Sequence, residues 1–176
     1  MGIKTIICSL DLAANDPTFA QKYIDEILPA SFPRRDVKIA QTFIKETHMV
    51  HRFALFQNFY SQTEFTNRII QRDKHPTETS SNPFKLMVSK YGIMSLDFVK
   101  FINSIRNTIH NNGYYFPSDM TSVFTYNFNG KTFTFNYGKP INDVTMQDIF
   151  EIIAYVLSEN KKLFQNNNDL AKIRFN

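Results

Sequence analysis

Between residues 36 and 73 apolar side chains recur at helical intervals, Ile39, Phe43, Val50, Phe53, Ala54 and Phe56 among them, and neither glycine nor proline interrupts the run. The pattern predicts one long helix, or two that meet near Ser61. An earlier stretch, NDPTFAQKYIDEILPASF, has Asn15 or Asp16 placed to cap a helix and Pro17 at its first position. It carries Phe19, Tyr23, Ile24 and Ile27 at helical spacing, and Pro29 and Pro33 close it. Residues 74–83, KHPTETSSNP, are polar and turn-rich and predict a loop. Pro83 then opens a short helix that Gly92 stops. Ser95 caps the next one, with Asp97 in its first turn, and that helix runs to about Asn112 and ends at Gly113.

Beyond Gly113 the period changes from 3.6 to 2. In SVFTYNFNGKTFTFNYG, Phe124, Tyr126 and Phe128 alternate on one side of Asn129-Gly130, and Phe133, Phe135 and Tyr137 on the other. Asn-Gly between alternating strands predicts a hairpin with a type I′ turn. A two-stranded hairpin is marginal alone, so its aromatic face must be covered by the helices or by a partner chain. From Thr145, with Asp148 in the first turn, Met146, Ile149, Ile152, Ile153, Val156 and Leu157 form a last amphipathic helix. The expected fold is mainly α, a helical bundle with one β-hairpin (about 122–137) between the last two helices, in a single domain over 1–176. The chain shows no internal repeat and no glycine-rich phosphate loop.

Composition narrows this picture only slightly. The 20 basic and 16 acidic residues give a net charge of +4, which allows a polyanionic partner without demanding one. Cys8 is the one cysteine, so an intrachain disulfide and a thiolate-rich metal site are both excluded, and a reducing cytoplasm is the expected location. No stretch has the length and apolarity of a membrane span, so no membrane partner is expected. Asp11 cuts the first apolar run too short for a secretory leader, and Ile6 stands where a myristoylation signal needs Ser or Thr.

The segment with the most chemical content is SIRNTIHNNGYYFP, residues 104–117. At about 100° per residue, Phe98, Ile102, Ile105 and Ile109 form a stripe that faces the core, and Arg106 and His110 lie roughly 65° and 105° to one side of its centre. Asn103 and Asn107 border the same stripe. One account of this wording is structural. A cation in the last turn of a helix is stabilised by about 0.3–1 kcal/mol, and Asn-Gly is an ordinary helix ending.

The stretch RNTIHNNG also resembles the signature of the HEPN superfamily, helical-bundle proteins whose motif is an Arg, commonly followed by Asn or another polar residue, and then a His a few positions later. Arg106 matches the motif arginine, Asn107 the polar residue after it and His110 the motif histidine. Three residues separate Arg106 from His110, where the family usually has four to six, and the hairpin is not part of its minimal bundle. The resemblance implies a metal-independent endoribonuclease of prokaryotic defence or toxin-antitoxin systems, with no cofactor. It also implies a homodimer in which two Arg and His pairs meet, and a cognate antitoxin or other protein partner. His110 is then the general acid or base and Arg106 the donor to the phosphate oxygens. Asn107, Asn111, Asn103 and Tyr114 are candidate phosphate or RNA contacts. The alternative is a non-catalytic module of the same fold that binds a protein or a nucleotide.

Other groups carry less. His48 and His51 would need a third ligand to hold a metal, and none is expected. Arg34, Arg35 and Lys38 surround a helix start, where their charge opposes the helix dipole and suits an anionic partner. Arg52, Arg68, Arg72 and Lys74 are candidates for a phosphate-tracking surface, with Tyr115 and Phe116 as stacking partners beside Tyr114.

Overall fold

The structure, a computed structural model, describes residues 16–18, 21, 22, 25, 37–78, 80–117, 123–141 and 143–173. Among them, four helices and two strands succeed one another: α1 (Val37–Lys74), α2 (Pro83–Tyr91), α3 (Leu96–His110), β1 (Val123–Phe128), β2 (Lys131–Asn136) and α4 (Met146–Asn166), with a 3-10 turn at Leu170–Lys172. The chain is mainly helical with a single antiparallel hairpin between α3 and α4, as the change of period predicts. Phe19, Tyr23, Ile24, Ile27, Arg34 and Arg35 lie outside the described residues. Asp16 does act as a cap, accepting the Thr18 N–H at 2.8 Å.

The uninterrupted apolar pattern of residues 36–73 resolves into one continuous helix rather than two, and α1 passes through Ser61 unbroken. Asn82 caps α2 by accepting the N–H groups of Phe84 and Lys85, and Pro83 fills a position where a missing N–H costs nothing. Gly92 ends α2 with φ of 64°. Ser95 Oγ caps α3 through the Phe98 N–H at 3.0 Å.

Two compact units divide the chain, residues 1–55 with 145–150, and residues 56–144 with 151–176. In the first, Ile44 and His48 of α1 are buried, as are Met146 and Ile149. The start of α4 is fixed by a reciprocal cap. Thr145 donates its N–H and hydroxyl to Asp148 Oδ2 at 2.7 and 2.8 Å, and the Asp148 N–H returns to Thr145 Oγ1 at 3.2 Å.

In the second unit the hairpin lies against α3. Register Phe128↔Lys131 leaves Asn129 and Gly130 as a two-residue turn, and their φ values of 50° and 79° are those a type I′ turn requires. All the strand aromatics, Phe124, Tyr126, Phe128, Phe133 and Phe135, share one face, and the threonines take the other. That aromatic face is covered from within the chain. Phe101, fully buried, stacks on Tyr126 at 4.8 Å between centroids and meets Phe133 at 5.0 Å, while Phe98 meets Tyr155 edge-on at 4.6 Å. The buried part of α3 is therefore broader than the stripe of Phe98, Ile102, Ile105 and Ile109. Val99, Phe101, Ser104 and Thr108 are buried too, and Ile109 is only half-buried. A smaller apolar cluster joins Ile70, Leu86, Met87, Ile93, Leu163 and Leu170.

Replacing Phe101 removes the ring that most of this packing shares. Phe101→Ala is expected to lower stability by about 3–5 kcal/mol, and Thr134→Ala, on the exposed face of β2, by less than about 0.5 kcal/mol. Denaturant midpoints at matched slope measure both, and equal midpoints would refute the role given to Phe101.

Candidate functional site

The end of α3 is built largely from backbone bonds. Asn112 and Gly113 both take positive φ, 55° and 92°, which turns the chain sharply after His110. The Gly113 N–H bonds the Thr108 carbonyl at 2.8 Å, the Asn112 N–H the Ile109 carbonyl at 3.2 Å, and the Asn111 side-chain amide the Asn107 carbonyl at 2.8 Å. The carbonyls of Asn107, Thr108 and Ile109 in the last turn are thus satisfied locally. Past the turn, the chain runs beside the segment following β2. Tyr115 N–H donates to the Lys139 carbonyl at 3.0 Å, Gly138 N–H to the Tyr115 carbonyl at 2.9 Å, and Ile141 N–H to the Gly113 carbonyl at 3.0 Å. Asn111, Asn112 and Gly113 therefore work as a helix ending, as their sequence also suggests.

One turn earlier, the same helix opens into a cavity of about 740 Å³, within the range usual for ligand sites. From α1 come Tyr60, Glu64 and Arg68, at successive turns of one face. From the start of α2 come Ser81, Asn82, Pro83 and Lys85. From α3 come Asp97 and Lys100 near its start and Asn103, Arg106 and Asn107 near its end, with Tyr115 and Pro117 beyond it.

Tyr60 is the hinge of this arrangement. Its hydroxyl donates to Asn103 Oδ1, its ring packs on Phe84 at 5.0 Å between centroids, and the Arg106 guanidinium carbon lies 5.3 Å from the ring centre. Burial pushes the phenol up to about 12; Glu64 adds to that rise, and the cations of Arg106 and Arg68 oppose it. Arg68 is held by Glu64, with its Nε and Nη2 at 3.2 and 2.6 Å from one carboxylate oxygen. Arg106 is different. Its Nε is buried with no acceptor, and among the described residues its guanidinium makes no ion pair and no hydrogen bond.

The structure separates the candidate residues. Arg106, Asn103 and Asn107 line the cavity; His110, Asn111 and Tyr114 do not. His110 is exposed one turn beyond Arg106 and has no hydrogen bond among the described residues. Tyr114 is 45 % exposed and bridges to Pro140 through its backbone. Of the two expected stacking partners beside it, Tyr115 is buried against Phe135 at 5.3 Å, and Phe116 is exposed and edge-on to Tyr137 at 5.4 Å. His48 is buried and His51 exposed, so the two do not share an environment. Among the described residues there is no group of three or more His, Cys, Asp or Glu able to hold a metal. No helix among them is long and apolar enough to cross a membrane. Tyr60 and Lys85 belong to the site although no local motif marks either of them. For Tyr60 the signal is its i, i+4, i+8 spacing with Glu64 and Arg68, which places the three on one face.

The raised Tyr60 has a consequence at high pH. In the unfolded chain the phenol ionises near 10.0, whereas in the fold it stays neutral to about 12. Its stabilising contribution is thus complete below pH 10.0 and disappears as pH rises through that window. Tyr60→Phe is expected to lower stability at pH 8 through loss of the bond to Asn103. It should also flatten the decline between pH 10 and 12, leaving the smaller part due to Tyr91 and Tyr155, which burial also raises. Chemical denaturation across that range measures it, and an unchanged slope in the variant would contradict the assignment. No protein-family model matches this chain, and no curated protein or solved structure matches it.

Proposed function

We propose that the chain is a HEPN-like, metal-independent endoribonuclease of the cytoplasm, acting in prokaryotic defence or as the toxin of a toxin-antitoxin pair. The observation that carries this reading is that Arg106 and His110, one turn apart on one flank of α3, are both left without ion pair or hydrogen bond among the described residues. An arginine whose Nε is buried without an acceptor, and for which no described residue supplies a counter-ion, is prepared for an anion.

The chemistry follows from these two groups. The 2′-OH of the substrate attacks the adjacent phosphorus, its proton passes to a neutral imidazole, and the bond to the 5′-oxygen breaks as that oxygen takes up a proton. The products are a 2′,3′-cyclic phosphate and a free 5′-OH. Arg106 offers a planar fork of donors to the non-bridging oxygens while negative charge builds on them. One His110 serves as base or as acid. A second copy of the chain supplies the other, which is why the reading includes a homodimer in which two exposed His110 rings meet across the substrate.

A second reading has its own observation. The cavity takes in Arg106 and leaves His110 outside, which favours a module that binds RNA, a nucleotide or a protein without cleaving. The two readings part in one assay. Purified protein is incubated with mixed RNA in EDTA, beside Arg106→Ala and His110→Ala. The nuclease reading expects cleavage that survives chelation, leaves 2′,3′-cyclic ends and falls by at least about a hundredfold, the usual worth of acid-base catalysis, in His110→Ala. Undiminished RNA binding with no cleavage by the wild type would establish the binding module instead.

A further inference from the structure

Among the described residues that line it, the cavity beside Arg106 has more cations than carboxylates outside an ion pair. The single hydroxyl proton of Tyr60 is committed to Asn103 Oδ1, which leaves the Asn103 amide nitrogen as a donor with no acceptor among the described residues. Glu64 is neutralised by Arg68, so Asp97 is the one lining carboxylate outside an ion pair among the described residues. Against it stand Arg106 and Lys85, and Lys100 lines the cavity too, with a partner of its own. Lys85 is exposed and has no ion pair among the described residues, and the Lys100 ammonium rests 4.9 Å from the centre of the Phe124 ring. Both α2 and α3 begin at this cavity, through Asn82 and Pro83 in one case and Leu96 and Asp97 in the other. Their dipoles add positive potential to that of the side chains.

We infer that the cavity is a binding site for a phosphate ester, held by Lys85, Lys100 and the Asn103 amide. Under the RNA-directed reading, on which this inference rests, the ester is the phosphodiester next to the one that Arg106 meets. The volume of about 740 Å³ admits a phosphate with its attached sugar. Asp97 tempers the site and gives it a testable polarity, because removing its charge should tighten the same binding that removing the lysines weakens.

The experiment measures binding of a short single-stranded RNA, 2′-O-methylated throughout so that it lacks the attacking hydroxyl. Fluorescence anisotropy is read at about 50 and 200 mM salt, where a phosphate contact shows itself as salt dependence. The Lys85→Ala/Lys100→Ala protein should bind about tenfold more weakly, with the slope of log K against log salt shallower by about 0.7 for each phosphate that is no longer neutralised. Asp97→Asn should bind several-fold more tightly, a gain that misfolding cannot produce. Lys161→Ala and Asp169→Asn, exposed and outside the cavity, control for net charge and should match the wild type.

RNA binding that is equally strong and equally salt-dependent in wild type, the double variant and Asp97→Asn overturns the phosphate site and leaves the RNA-directed reading standing. A wild type that binds no RNA overturns that reading. A parallel thermal melt with 5′-AMP then decides the site: stabilisation that disappears in the double variant supports a free nucleotide as the source of the ester, and no stabilisation overturns the site as well.

Discussion

The organisation of the second unit depends on one piece of packing, the aromatic face of the hairpin against Phe98 and Phe101 of α3. Two strands cannot hold their own shape in water, and these strands have one polar face and one crowded with rings. Seating that face on α3 buries Phe133 and Phe135 to 1 % exposure and Phe101 completely. It also decides which side of α3 remains open. With Phe101 under the hairpin and Ile102 and Ile105 in the core, the margin left over is the one that carries Asn103, Arg106 and Asn107. The cavity is a consequence of how the hairpin is covered.

Within that cavity two kinds of polar group meet different fates. Arg68 and Glu64 satisfy each other across one turn of α1, an exposed pair of small worth to stability. Arg106 has been brought to the edge of the interior, against the Tyr60 ring, with no carboxylate paired to it among the described residues. A cation in that position loses hydration, and among the described residues it gains no counter-ion while the aromatic face returns only part of the difference. Such an arrangement is hard to explain by stability alone, since a neutral side chain of similar length would avoid the penalty. It fits the role proposed for Arg106, that of meeting a phosphate.

The sequence speaks clearly about elements and poorly about what faces what. Asn129-Gly130 between alternating aromatics fixes the hairpin, and Asn82-Pro83, Ser95 and the Asn-Asn-Gly ending fix α2 and α3, because each acts through backbone geometry within a few residues. The width of the buried part of α3 is not legible in this way. A stripe drawn through Phe98, Ile102, Ile105 and Ile109 assumes that one neighbour covers the helix, whereas α2 and β1 both pack on it and Phe101 belongs to the second contact. The candidate site divides along the same line. Arg106, Asn103 and Asn107 could be grouped from one helix alone. Tyr60 and Lys85 come from positions 43 and 18 residues before Asn103, and nothing local announces that they meet it.

The cap and the site at the end of α3 look like rival explanations of RNTIHNNG, yet they use different atoms. Capping draws on the carbonyls of Asn107, Thr108 and Ile109 and on the N–H groups of Asn111, Asn112 and Gly113. It leaves the side chains of Arg106, Asn107 and His110 uncommitted among the described residues. The sharp turn after His110 even assists them, because it carries the chain away toward Lys139 and Ile141 and keeps the imidazole in the open. A helix that ended by fraying would leave the ring without a fixed position. The well-made ending is therefore the mechanical basis on which any chemistry at His110 would rest, and the presence of the cap does not count against the site.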